Sequence, residues 1–206
     1  MSDYYADFNT NGMVPNRYYD RHFECDAIKI LPGEYYATTE QTLILTVLGS
    51  CVAVCLRDPK LKIGGMNHFL LPSDNAGDNP VSASARYGVY AMEILITQIL
   101  KLGGDKRRLE AKVFGGGAVL QGMTTNIVGQ RNAEFVVDFL KTEQIPILAS
   151  DLLGIYPRKV YFFPETGEVK VRKLKSLHNT TILDRESEYR LKLKRNAQAT
   201  GDVELF

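Results

Sequence analysis

Apolar positions along this chain fall into short runs broken by turn residues, and twice the period of the pattern lengthens from two to about 3.6. From position 27 onward the runs read as strands over 27–30, 34–37, 43–48, 52–56 and 66–71, with "RDPKLKIGG" carrying turn residues between the last two. A helix follows, capped by Ser82 or Ser84 and running to about Leu102. Tyr87, Ala91, Leu95, Ile99 and Leu102 recur at helical spacing, and Gly103-Gly104 ends the run. "LEAKVFGG" returns to strand. "NIVGQRNAEFVVDFL" predicts a second helix, with Asn132 as its N-cap and Phe135, Val136, Phe139 and Leu140 facing inward. "IPILAS" reads as a strand, and "KVYFFPETGEVKVRKL" as a hairpin turning at Glu165-Thr166-Gly167. Many strands, mostly in hairpins, with two substantial helices define an α+β protein: packed antiparallel or mixed sheets with helices on the outside.

The flanks differ from this middle. Residues 1–25 are polar and rich in tyrosine, and are expected to form a loosely held N-terminal arm. Residues 26–175 make a single domain. Residues 176–206 are highly charged, with Glu186/Arg190 and Glu188/Lys192 spaced for a solvated helix, and are expected to be a peripheral tail.

Composition narrows the function classes. The apolar fraction of 45% is enough for a folded core. Lysine and arginine number 25 against 24 acidic residues, without the basic surplus of a nucleic-acid binder. No apolar run is long enough to span a bilayer, and "MSDYYADFNT" is no signal peptide, so a cytoplasmic protein without membrane insertion is expected. Three cysteines without a CxxC pair argue against a disulfide framework. On one strand Cys51 and Cys55 would lie roughly 13 Å apart, at about 3.3 Å per residue, too far for both to hold a zinc ion. No metal site is expected.

The stretch "LTVLGSCVAVCL" holds the most informative break. Glycine and serine are poor strand-interior residues, yet Gly49-Ser50 interrupts two apolar runs and delivers Cys51. One reading is an ordinary bend with a small core cysteine, since free cysteine is among the most buried residue types. The other is a reactive thiol. A turn there leaves backbone N–H groups outside the sheet ladder, and donors near Gly49, Ser50 and Cys51 are suited to stabilising an oxyanion. Cys55, flanked by Val54 and Leu56, reads as core. Of the three histidines, His68 in "GGMNHFLLP" stands out. If its strand pairs with the one beginning at Cys51, the two lie toward the same end of a hairpin, as a Cys–His couple requires. A histidine satisfied by a core hydrogen bond is the competing reading. "FGGGAVL" lacks the residues of a phosphate loop, and reads as a tight loop letting backbone approach a neighbouring segment or substrate.

Taken in order, "AIKILPGEYY", "LGSCVAVCLRDP", "GGMNHFLLP", "LEAKVFGGGAVL", "NIVGQRN" and "YFFPETGEVKVRKL" resemble CheD, the chemoreceptor glutamine deamidase family. The resemblance runs from about Ala27 to Leu174. It implies a cysteine hydrolase with a sandwich fold similar to deamidating toxins. The implied activity is conversion of particular glutamine side chains of methyl-accepting chemoreceptors to glutamate, without cofactor. A CheC-type CheY-phosphate phosphatase is an implied partner in some bacteria. The resemblance makes Cys51 the nucleophile and His68 its base, with Gly49 and Ser50 positioning the oxyanion. The family's third residue is a hydroxyl six positions before the cysteine, where this chain has Leu45; the adjacent Thr46 takes the role if the turn is shorter by one residue or bulged. Two other readings stay open: a binding module of the same fold that has lost turnover, and a cysteine protease.

Overall fold

The computed structural model describes residues 16–71, 83–119, 127–174, 186–189 and 191–193. The strands are β1 (Asn16–Asp20), β2 (Cys25–Lys29), β3 (Tyr35–Thr38), β4 (Leu43–Leu48), β5 (Val52–Asp58), β6 (Ile63–Phe69), β7 (Glu110–Gly115), β8 (Ile147–Leu152), β9 (Arg158–Phe163) and β10 (Glu168–Lys173). The helices are α1 (Ala83–Lys101) and α2 (Ile127–Thr142), with a single 3-10 turn at Lys106–Arg108 and a helical stretch at 186–189 and 191–193. The first sheet has the order β1-β2-β4-β9-β10 and the second β3-β6-β5-β7-β8. Both are mixed: β2 runs parallel to β4 and β7 parallel to β8, while the other pairs are antiparallel. This is the α+β arrangement expected.

Layering follows from which residues each strand sends to each face. On β5, Val52, Val54 and Leu56 join Met92, Leu95 and Ile99 of α1 and Val136 and Leu140 of α2 in one core. Ala53 and Cys55 point the other way, into a second core shared with Ile44, Leu48, Val160 and Phe162 of the first sheet. The helices therefore cover one face of the second sheet, and the first sheet covers the other. The register of β5 is fixed by this division: moving the strand by one residue would exchange the two sets of side chains between cores.

Several expectations are revised. Part of the N-terminal arm is held: β1 pairs antiparallel with β2 throughout its length. Strand β6 starts at Ile63, so Gly64 and Gly65 lie within the ladder and not in a turn. A Cβ on Gly65 would sit 2.6 Å from the Tyr36 carbonyl oxygen and 2.8 Å from Leu95, so glycine lets β3 and α1 close on this strand. Ser84 lies inside α1, and Ser82 lies outside the described residues. Leu102 ends the predicted helical stripe but is exposed in the turn beyond α1. Asn132 is buried within α2 and is not its cap. The charged tail is not wholly peripheral, since Glu186 and Leu193 are buried; Arg190 lies outside the described residues. Among the described residues no helix is long and apolar enough to cross a membrane.

Candidate active site

Between the end of β4 and the start of β5 the chain bends at Gly49-Ser50, and three residues leave the ladder. Each carbonyl of this bend is tied to one side. Gly117 N–H donates to Gly49 O at 2.8 Å, and Gly116 N–H to Cys51 O at 2.8 Å. The Asn132 side-chain amide donates to Ser50 O at 2.8 Å, while its own oxygen accepts from Leu71 N–H at 2.9 Å. The N–H groups of the same three residues converge on the opposite side. They meet one carboxylate, that of Glu186: Gly49 N at 3.0 Å, Ser50 N at 3.3 Å and Cys51 N at 3.3 Å, with Ser50 Oγ at 2.7 Å. Successive N–H groups aimed at one point form an anion nest.

The glycine run of β7 and the loop after it lets this bend be gripped so closely. Gly115 has φ +115°, and a Cβ there would lie 2.2 Å from Cys51 O. Gly116 has φ +67°, and its Cβ would lie 2.7 Å from Gly129 O on α2. Both positions are left-handed and too crowded for a side chain. The run approaches backbone, as its composition suggested.

His68 stands opposite Ala53 in the β5–β6 ladder, one pair in from the Val52–Phe69 pair beside Cys51. Its neighbours two along on the same face, Met66 and Leu70, belong to the core between the sheets. Across that interior His68 Nδ1 lies 2.7 Å from Thr46 Oγ1, and the Thr46 hydroxyl lies 2.8 Å from Ile30 O. A carbonyl only accepts, so the single hydroxyl proton goes to Ile30, and the Thr46 oxygen accepts from His68 Nδ1–H. The lone pair is thereby assigned to Nε2, which is buried and has no hydrogen-bond partner among the described residues. Burial holds the imidazole well below its ordinary range, to about 4, against a smaller opposing pull from Glu186. It is neutral at pH 7.

Thr46 reaches His68 from a regular strand. β4 pairs residue for residue with β9 from Ile44↔Phe162 to Leu48↔Arg158, without a bulge. Ile44 and Leu48 face the core between the sheets, so Thr46 faces it with them. Leu45 faces outward, in a small cluster with Ala27 and Leu43. No bulge in β4 is needed to aim the hydroxyl.

Cys51 is fully buried in the core between the sheets. Burial first, and the nearness of Cys51 second, push the phenol of Tyr87 on α1 upward. Cys55 is buried on the same side of β5, and burial pushes its thiol far up, as for an inert core cysteine. His68 lines two small clefts. One is shared with Ile30, Thr46 and Glu186, the other with Tyr35, Asn67 and Tyr87. Asn67 faces away, donating to Ala91 O at 2.9 Å and accepting from Val54 N–H at 3.0 Å. His22 is exposed in the turn after β1, and His178 lies outside the described residues.

Sequence reasoning missed two participants. Asn132 read as a helix cap because caps favour asparagine; its place in "NIVGQRN" was the signal that it does more. Glu186 read as a solvated charge, although Glu186, Tyr189 and Leu193 share one helical face.

The molecule is thus an α+β sandwich in which a buried cysteine and an oriented histidine flank a backbone anion nest. The chain belongs to the CheD family. The family model for CheD chemotactic sensory transduction matches residues 70–173. The chain is 70% identical over 193 residues, covering 93% of each chain, to a probable chemoreceptor glutamine deamidase CheD 1 of Shewanella oneidensis. It is 60% identical over 196 residues to a probable chemoreceptor glutamine deamidase CheD of Thiobacillus denitrificans, covering 94% of this chain and 96% of the relative. A third relative, the probable chemoreceptor glutamine deamidase CheD 1 of Dechloromonas aromatica, is 58% identical over 194 residues, covering 94% and 96%.

Proposed function

We propose that this chain is a chemoreceptor glutamine deamidase in which Cys51 is the nucleophile, His68 the base and Thr46 the residue that orients it. The observation that carries the reading is the pairing of an Nε2 lone pair, held by the Thr46–His68 bond at 2.7 Å, with three N–H groups converging beside Cys51. Relatives covering nearly the whole chain carry the same activity in their names.

In the proposed reaction His68 Nε2 takes the Cys51 proton, and the thiolate attacks the side-chain carbonyl carbon of a receptor glutamine. The carbonyl oxygen gains the negative charge and is held by N–H groups of Gly49, Ser50 and Cys51. One such donor is worth roughly a hundredfold or more in rate. The imidazolium gives its proton to the departing nitrogen, the C–N bond breaks, and ammonia leaves a thioester. His68 then deprotonates water, which attacks the thioester; the C–S bond breaks, giving glutamate and restoring the thiol. The chemistry as drawn needs no metal or organic cofactor. Binding of a CheC-type phosphatase, implied by the family resemblance, belongs to the same proposal and is tested by co-purification.

The decisive experiment is intact-mass analysis of purified receptor incubated with the wild-type protein and with Cys51→Ala. Conversion of carboxamide to acid by the wild type alone, with the receptor chain uncut, supports the reading. Cleaved receptor would indicate a protease, and unchanged receptor a binding module.

A further inference from the structure

The nest beside Cys51 is filled by the chain itself, and the filling group is a glutamate side chain, chemically the product of the proposed reaction. Four donors address the Glu186 carboxylate: three backbone N–H groups and the Ser50 hydroxyl, at 2.7 to 3.3 Å. Glu186 is 4% exposed. The surroundings are shaped to it. A Cβ on Gly49 would lie 2.7 Å from Glu186 Oε1, so any other residue there would push the carboxylate out.

The segment bearing Glu186 is seated by more than that contact. Tyr189, three residues on, packs against the core between the sheets. A Cβ on Gly33 would fall 2.6 Å from its ring, so glycine opens the seat for the tyrosine. Leu193, a further turn along, is buried as well. Glu186 also lines the cleft where His68 and Thr46 meet. Carboxylate, aromatic and aliphatic residues thus engage from one face of one helical stretch, as a helix does when it docks through residues spaced by about one turn.

We propose that the C-terminal segment around Glu186 is a tethered product mimic: it occupies the subsite of the substrate glutamine and must be displaced before a receptor side chain enters. The proposal rests on the deamidase reading above. Gly49 N–H and Cys51 N–H both donate to Oε1, so a carboxamide oxygen can take that place; its NH2, at the place of Oε2, can donate to the Ser50 hydroxyl oxygen and forfeits the Ser50 N–H bond. Release of the segment opens the nest and uncovers the cleft beside His68, so any partner that binds the segment raises activity.

The test replaces the mimic of product by a mimic of substrate. In Glu186→Gln, residue 186 carries a carboxamide into the nest beside Cys51. With water consumed and ammonia released, it should be converted within the same molecule to glutamate. Peptide mass mapping of purified Glu186→Gln should find glutamate at position 186, whereas Glu186→Gln combined with Cys51→Ala should retain glutamine. In parallel, Glu186→Ala should accelerate receptor deamidation and iodoacetamide labelling of Cys51 about tenfold or more, as when the competent state is a tenth or less of the population. If Glu186→Gln deamidates receptor while position 186 stays glutamine, and Glu186→Ala labels at the wild-type rate, the segment is no mimic although the enzyme stands. If neither receptor nor position 186 is converted by any of the proteins, the deamidase reading and the mimic fall together.

Discussion

Replacing Thr46 by valine isolates what the orienting hydroxyl contributes. The substitution keeps the shape of the side chain and removes its oxygen, taking away the 2.7 Å contact with His68 Nδ1 and the 2.8 Å bond to Ile30 O. His68 Nδ1–H is then buried without an acceptor, and its escape is to move the proton to Nε2. That exchange leaves the nitrogen that faces the reaction carrying a proton, and a protonated Nε2 cannot take the thiol proton. A net hydrogen bond is worth about 1 kcal/mol, and a buried group left unsatisfied costs about 1–3 kcal/mol. At about 1.36 kcal/mol per decade, turnover should slow roughly five- to 150-fold. The assay is the initial rate of glutamate formation in purified receptor, with urea unfolding of each variant as a check on folding. Thr46→Ser keeps a hydroxyl within reach of Nδ1 and should recover most of the rate. Wild-type turnover in Thr46→Val, or a Thr46→Ser as slow as Thr46→Val, would refute the orienting role.

Other outcomes follow from the same geometry. Cys51→Ala should abolish deamidation while Cys55→Ala, whose thiol is buried and held protonated, should keep it; mass analysis of receptor reads both. His68→Ala should cost at least about a hundredfold in rate, the scale of lost general acid–base catalysis, and should slow iodoacetamide labelling of Cys51 near neutral pH. Asn132→Ala leaves Ser50 O and Leu71 N–H without their partner, so it should destabilise the fold by about 1–3 kcal/mol per unsatisfied group and lower the catalytic rate along with it; urea melts and initial rates together check this. Asp58 hydrogen-bonds Arg108, which draws its carboxyl from 3.8 down to about 2. A depressed carboxyl stabilises the fold above pH 3.8 and loses that contribution as pH falls through about 2. Urea stability of the wild type should therefore fall over that window, and Asp58→Asn should flatten the slope.

Strand and helix runs were legible because their periods are local properties of the chain. The nearness of Cys51 and His68 was legible for the same reason: β5 and β6 form a hairpin, and hairpin partners lie close in sequence. The faces were harder. β5 is buried on both sides, so "VAVCL" shows no alternation from which to tell that Val52 and Val54 face the helices while Ala53 and Cys55 face the first sheet. Thr46 belongs to a different sheet from His68, and only the stacking of the two sheets sets its hydroxyl against the imidazole. Asn132 comes from α2, and nothing local distinguishes an asparagine that caps a helix from one that holds a distant carbonyl. Glu186 is 135 residues from Cys51 in a charged run, and a carboxylate there reads as solvated. Its burial is offset by N–H groups of the Gly49–Cys51 bend, donors supplied from the far side of the fold. Local periodicity marks most of the strands and both long helices, and residue type marks the chemistry they can carry; which groups meet is set by the stacking of the sheets and helices, because the groups that satisfy a buried charge or aim an imidazole need not be neighbours in the chain.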